Sequence, residues 1–353
     1  AAPFKSHNDI MEKGYVKPLL CLVFMITSSF NLFAAVQPQM SRQEIFPPVD
    51  EHTHGSTVVE LPNGDLLAAW FQGSGERRED DVAIKGARLR KGGREWSAPF
   101  TLADTPEFPD INPVLFVDPT GSQLFLYWYT VIAYQWDTSL LKVLVSEDFA
   151  GADKPVWKWQ DVLHVKPGDS GGDGIQPSDR FVLAIRRQLT EYRAYLVDSG
   201  TSDERLERWD QWSEETIKNA QGDNMLRQGR LVENDGSSKQ TLMGFPYFRR
   251  MGWQTRNKPT VLSDGRLLLP LYSDGFGFSL MAITDDLGKS WSFSDPLVGP
   301  GNIQPAILER SNGELVAYMR DNGPPPKRLH MSVSKDRGES WSSVRDSELL
   351  NPG

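Results

Sequence analysis

The sequence predicts an all-β chain built from repeated strand hairpins and interrupted once by a partly helical insert. Three observations predict it. A hairpin pattern recurs four times along the chain, and an eight-residue turn motif follows two of the copies at a 50-residue period. Gly and Pro, which tight turns require, number 30 and 24 in 353 residues. An apolar fraction of 39% with 24% charged residues supplies a core and a solvated surface, which excludes a disordered or fibrous chain.

From the N-terminus, Met11 opens the charged stretch Met-Glu-Lys-Gly-Tyr-Val-Lys, an apolar run follows from Pro18 to Phe30, and small residues close it at Ala34-Ala35. This is the layout of a secretory signal peptide, with an apolar segment too short to span a bilayer. Residues 1–35 are therefore set apart as upstream residues and leader, and the protein is expected to be secreted or periplasmic. Cys21, the single cysteine, falls in that leader, so neither a disulfide framework nor a cysteine metal site is expected.

Residues 36–353 hold the repeats. Each copy starts at Ser or Pro, runs through an apolar strand to a turn glycine, and continues into a second apolar strand. The copies run from Ser56 to Gly64, Pro113 to Gly121, Pro259 to Gly265 and Pro305 to Gly313. The turn motif, Ser/Thr-x-Asp-x-Gly-x-x-Trp, is complete at Thr284–Trp291 and Ser334–Trp341. Decayed copies lie at Gly93–Trp96 and Ser146–Asp148. The Asp carboxylate is suited to accept turn amides, the Gly to a positive φ, and the Trp to fill the gap between sheets. Between the second and third hairpins, about 165–250, the pattern changes. Asp179 to Leu196 has helical apolar spacing, Ser202 to Ala220 is a highly charged stretch suited to a solvated helix or lid, and Phe245 to Arg256 is aromatic and basic.

The eight-residue motif resembles the Asp-box, or BNR repeat, of the sialidase-like β-propellers. The resemblance implies a propeller of the six-bladed type, here C-terminally truncated, since four hairpins are clear and at most a fifth lies within the insert. In such a fold the inner strands converge on a central channel, and the residues just before each hairpin become candidates. These are His52 and His54, Asp110 and Asn112, Arg256 to Lys258, and Asn302 and Gln304. Loops after the second strands add Gln72, Glu76, Arg77, Asp80 and Asp81, then Tyr272 and Asp274, then Arg320 and Asp321.

Members of the family use three arginines to clamp a carboxylate, an Asp as acid/base and a Tyr–Glu pair as nucleophile. The resemblance implies Arg320 and Arg256 as clamps, because a guanidinium fork pairs both carboxylate oxygens. It places Asp80 or Asp81 as acid/base; from the residues themselves, His54 is a candidate proton-transfer partner, because an imidazole exchanges a proton near neutral pH, and Glu76 of the same loop as the two Asp residues is a further candidate catalytic carboxylate. His52, Arg77, Asn112, Lys258, Gln304 and Asp321 are implied in substrate binding. Two positions depart from the family. His54-Gly55-Ser56 stands where it has Arg-Ile-Pro, and Gln304 stands where it has Glu. The implied function is an exo-glycosidase acting on a terminal acidic sugar of a glycan. Two alternatives remain open: a His-centred rhamnosidase or uronate lyase, and a non-catalytic glycan-binding propeller. No cofactor or metal is expected. A net charge of −9 argues against a nucleic-acid partner.

Overall fold

A computed structural model of the chain describes residues 40–151, 154–169, 175, 178–222, 230–232, 238–240, 247–323 and 327–351. The proposed leader with Met11 and Cys21 lies outside the described residues. Residues 44–353 form one compact unit.

Each hairpin of the sequence becomes the inner half of an antiparallel sheet, four-stranded in three blades and five-stranded in the third, where the inner strand is broken. The first blade is β1 (His52–Glu60), β2 (Leu66–Gly73), β3 (Ala83–Leu89) and β4 (Phe100–Ala103), hydrogen-bonded in chain order. The second is β5 (Asp110–Val117), β6 (Leu124–Val131), β7 (Ser139–Ser146) and β8 (Trp159–Val162), also in chain order. The insert then forms α1 (Arg180–Asp198), α2 (Asp203–Gln221), the short strands β9 (Arg230–Val232) and β10 (Ser238–Gln240), and α3 (Tyr247–Arg250). The third blade has a broken inner strand, β11 (Trp253–Gln254) and β12 (Thr260–Val261), both paired with β13 (Leu267–Ser273), and then β14 (Phe278–Thr284) and β15 (Ser292–Phe293). The fourth is β16 (Asn302–Glu309), β17 (Leu315–Asp321), β18 (Arg328–Ser334) and β19 (Arg345–Leu350).

The described residues thus form four blades, where the resemblance implied six. The insert supplies two 19-residue helices and a two-stranded hairpin in place of a fifth blade. Helix α1 falls where the apolar spacing put it, and α2 covers the highly charged stretch Ser202 to Ala220. Asp179 caps α1, accepting the Phe181 amide at 2.9 Å, and its buried carboxylate also takes Arg249 Nη2 at 2.8 Å. The face Phe181, Val182, Ile185, Leu189, Tyr192 and Leu196 is buried in the main core together with strands of the second, third and fourth blades.

The blades bury both faces of their middle strands, so β6, β13 and β14 are mostly apolar along their whole length and all their residues are buried. Trp128, Trp253 and Trp341 are the largest fully buried side chains. Each removes roughly 150–250 Å² from water, which at about 25 cal/mol per Å² is gross stabilisation of about 4–6 kcal/mol per ring.

The two complete turn motifs have the same geometry. In one, Asp286 accepts the Ser290 amide at 2.9 Å and its hydroxyl at 2.6 Å, while Thr284 Oγ1 accepts the Gly288 amide at 2.9 Å. In the other, Asp336 accepts the Ser340 amide at 2.9 Å and Ser334 Oγ accepts the Gly338 amide at 2.9 Å. Gly288 and Gly338 have φ of 87° and 86°, which a Cβ would strain. Trp341 is buried, whereas Trp291 is half-buried and meets Tyr127 edge-on at 6.5 Å. These turns follow β14 and β18, so they occupy the end of each sheet that carries the hairpin glycines. The opposite end is left for chemistry.

Candidate functional site

At that opposite end the inner strands share one irregularity. The register of β1 shifts between His54 and Thr57, of β5 between Ile111 and Val114, and of β16 between Ile303 and Ala306. One residue within each bulge has positive φ: Gly55 at 68°, Asn112 at 47° and Gln304 at 55°. In the third blade the bulge is widened into the break Thr255–Pro259 between β11 and β12. Non-glycine residues in this region cost of order 1–3 kcal/mol and gather at functional sites, because the bulge re-aims a side chain.

Opposite the residue that precedes each bulge or break stands one residue of the second strand: Phe71 across from His54, Tyr129 from Ile111, Tyr272 from Gln254 and Arg320 from Ile303. Three blades contribute to a single hydrogen-bonded knot at this level. Asn112 Nδ2 donates to Tyr129 Oη at 2.9 Å and reaches Tyr272 Oη at 3.5 Å. The Tyr272 hydroxyl also bonds the Gln304 side chain and lies in the field of Arg256. Gly55 completes the packing from the first blade. A Cβ there would fall 2.6 Å from Asn112 Oδ1 and 2.8 Å from the Phe71 ring.

Burial governs the electrostatics. It pushes the Tyr272 hydroxyl up to about 12, the nearby Asp274 charge adding to the shift, and it raises Tyr129 further, so both phenols are neutral near pH 7. Asp274, half-buried at the end of β13, is raised by burial, while bonding to Gln254 and the charges of Arg320 and Arg77 pull it back. A carboxyl balanced in this way suits proton transfer. Arg77 arrives from the loop after β2 and lays its guanidinium over the Trp136 ring, 4.8 Å from its centroid. Trp136 in turn meets Tyr129 edge-on at 6.3 Å, and its carbonyl accepts Gln254 Nε2 at 2.8 Å. Among the described residues, Nε of Arg77 and Nε of Arg320 are buried without a hydrogen-bond partner. Such donors lose hydration without compensation until an anion arrives.

The predicted residues divide. Arg256, Arg320, Arg77, Asn112 and Gln304 come together around Tyr272 and Asp274, and Glu76 contributes its charge at Tyr129. His52 and His54 are exposed on β1, 6.0 Å apart, both against Phe71. Asp80 and Asp81 stay at the exposed rim. Asp81 closes its own loop by accepting the Ser74 amide at 3.1 Å and hydroxyl at 2.8 Å, and Asp80 accepts Tyr134 Oη at 3.1 Å. Lys258 donates to the Val58 carbonyl, which ties the third blade to the first. Asp321 is turned away, with Oδ1 on the Gly323 amide at 2.7 Å and Oδ2 3.7 Å from His330. His330, given no role on sequence, is buried between Asp321 and Asp346, and burial lowers its imidazole against the pull of both carboxylates. Sequence reading missed Tyr129, Trp136 and Gln254. Counting seven or eight residues past the glycines Gly64, Gly121, Gly265 and Gly313 would have found Tyr129 together with Phe71, Tyr272 and Arg320.

No metal-ligating cluster of His, Cys, Asp and Glu occurs among the described residues. No helix among them is long and apolar enough to cross a membrane.

The fold and this centre define a β-propeller whose inner-strand ends carry a polar site. The chain belongs to the BNR repeat-like domain family, whose model matches residues 64–170 and 250–353 and leaves out the helical insert; it is a sialidase-like BNR propeller. A curated relative, the anhydrosialidase of Macrobdella decora, is 34% identical over 80 residues, 22% of this chain. The chain spans only 10% of that relative's length. A solved protein of unknown function from Dyadobacter fermentans DSM 18053 has the same fold, with a TM-score of 0.52, 14% identity, and coverage of 85% of this chain and 70% of its own. Trypanosoma rangeli sialidase in complex with the inhibitor DANA aligns with a TM-score of 0.47 and 13% identity, over 83% of this chain and 38% of its own.

Proposed function

We propose that the protein is a carbohydrate-active enzyme, a sialidase-like exo-glycosidase that removes a terminal acidic sugar from a glycan. The observation that carries this reading is the gathering of Arg77, Arg256 and Arg320 around Tyr272 and Asp274, with two guanidinium Nε donors left unpaired. Three cations at the end of a propeller, two of them with an unpaired Nε, suit the carboxylate of an acidic sugar. Asp274, rather than Asp80 or Asp81, is then the proton donor to the departing glycosidic oxygen, because burial holds its proton to higher pH. Glu76 is the second carboxylate, and the neutral hydroxyls of Tyr129 and Tyr272 orient the ring. His54, one residue from Gly55, serves as proton-transfer partner at the open side. The curated relative is an anhydrosialidase by name, which supports the reading. We also propose export directed by the segment opening at Met11.

The exposed pair His52 and His54 favours a second reading, a uronate lyase in which an imidazole takes the α-proton. A panel of sialosides, rhamnosides and uronate polymers decides between them: hydrolysis releases a free sugar, elimination an ultraviolet-absorbing unsaturated uronate. For the hydrolase, Arg320→Ala and Arg256→Ala each lower kcat/KM by about 100-fold with folding intact. Asp274→Asn removes the loss of activity that accompanies titration of the acid as pH rises. Unchanged turnover in both arginine variants refutes the placement. Glycan binding without turnover of any substrate makes the protein a binding propeller.

A further inference from the structure

The helical insert carries an apolar cleft that the family match does not cover. Along α1 and α2 a ladder of rings runs from Tyr195 through Tyr192 and Trp209 to Trp212, with neighbouring centroids 5.5, 4.6 and 5.0 Å apart. Trp209 and Tyr192 are buried, while Trp212 is half-buried at the outer end. Between these rings and the backbone of Pro300, Gly301 and Gly323 lies a cleft of about 300 Å³, at the lower end of small-ligand sites. Arg205 and Arg208 stand on its rim.

Its position ties it to the centre. Gly301 directly precedes β16, and Gly323 follows β17 just beyond Arg320 and Asp321. Trp212 lies 3.8 Å from where a Gly277 Cβ would be, and Gly277 ends the loop that begins at Asp274. The loops that carry Asp274 and follow Arg320 therefore pass beneath the tryptophan, and the cleft opens beside the same end of the propeller. Gly301 and Gly323 let the two floor loops approach each other closely. A Cβ on Gly301 or Gly323 would fall 2.9 or 2.6 Å from backbone of the facing loop.

The charge chooses the occupant. Arg208 is neutralised in part by Glu204 at 2.5 Å. Arg205, half-buried, has no carboxylate within ion-pair distance among the described residues. In a chain of net charge −9, a cation so placed beside an aromatic face favours an anionic ligand with an apolar surface. A pyranose ring offers C–H groups to stack on an indole, and a uronate or sulfated sugar adds the anion.

We propose that this cleft is a second sugar subsite, which holds the next acidic residue of an anionic glycan whose terminal acidic sugar occupies the centre. The substrate is then a chain with charge on successive sugars. This rests on the glycan reading above, and the test separates the two. Binding of tetragalacturonate, a chondroitin sulfate tetrasaccharide and methyl-esterified tetragalacturonate is measured by calorimetry and tryptophan fluorescence on the whole protein. At least one acidic tetrasaccharide binds saturably, and the ester binds at least tenfold more weakly than tetragalacturonate if that is the ligand. Trp212→Ala weakens acidic binding at least tenfold. Trp212→Phe, which keeps a stacking face, stays within about threefold, and this distinguishes lost stacking from lost folding. Arg205→Ala weakens binding of the acidic ligand and leaves that of the ester unchanged. Failure of both acidic ligands to bind, or equal binding by wild type and Trp212→Ala, overturns the subsite. Tight binding through Trp212 with no turnover removes the glycosidase reading and leaves the subsite standing.

Discussion

Gly55→Ala tests the construction of the centre most directly, because two separable costs meet at one atom. The first is backbone strain: φ is 68°, and an alanine there costs about 1–2 kcal/mol. The second is steric, since the added methyl falls 2.6 Å from Asn112 Oδ1 and 2.8 Å from the Phe71 ring. Both neighbours are buried and Asn112 is held by the Tyr129 hydroxyl, so neither can retreat freely. Overpacking of this kind costs about 1–3 kcal/mol. Gly92 is the control. Its φ is 70°, and nothing lies within 4 Å of its would-be Cβ, so Gly92→Ala carries the strain alone. The loss of chain entropy in the unfolded state, about 0.4–1 kcal/mol in favour of alanine, applies to both. Urea unfolding should show Gly55→Ala less stable than Gly92→Ala by about 1–3 kcal/mol, and that gap should shrink when Gly55→Ala is made on Asn112→Ala. Equal destabilisation by the two alanines, or a gap undiminished without Asn112, would refute the close approach of the first and second blades, whereas a reduced gap is the share left to the Phe71 ring.

Three further outcomes follow from the fold. Asp65 lies buried under Arg88 and Arg90. Burial alone would raise its carboxyl, but hydrogen bonds from the Lys91 amide, Arg90, Asn63 and Arg88 outweigh it and hold it at about 2. Its pKa is below the ordinary value, so its contribution is complete above about pH 4 and disappears as pH falls towards 2. In urea melts at pH 5 and pH 3, the gap between wild type and Asp65→Asn should narrow at the lower pH. Asp179→Ala takes the carboxylate from the buried Arg249, leaving it the Pro167 carbonyl, and removes the α1 cap, and thermal unfolding should report a loss of about 3–5 kcal/mol, well beyond the roughly 1 kcal/mol of an ordinary cap. Trp341→Ala should cost about 3–5 kcal/mol and Trp291→Ala less, since only Trp341 is fully buried; comparable losses in a denaturant melt would contradict the packing of the two turns.

The sequence by itself determined whatever is written over short spans. Hairpin spacing located all four blades, the Asp and Gly of each turn predicted the hydrogen bonds found at Thr284–Ser290 and Ser334–Ser340, apolar periodicity located α1, and a run of charged residues marked α2 as a solvated helix or lid. Those features depend on backbone dihedrals and side-chain alternation within a few residues. Tertiary structure decided which side chains meet. Asp80 and Asp81 looked like centre residues from their loop, yet the chain folds back and Asp81 is consumed by Ser74, while Arg77, four residues earlier, turns inward onto Trp136. Tyr129 and Tyr272 lie 143 positions apart, and nothing local to either announces the other; Asn112 joins them only because adjacent blades bring their inner strands together. The helical insert shows the same division. Its amphipathic faces were visible in the chain, but their place beside the loops that follow β13 and β17 arose from burying those faces against three blades at once. Burial of that kind, which also sets the ionisation of Tyr272 and Asp274, is a property of the assembled sheets and of no single strand.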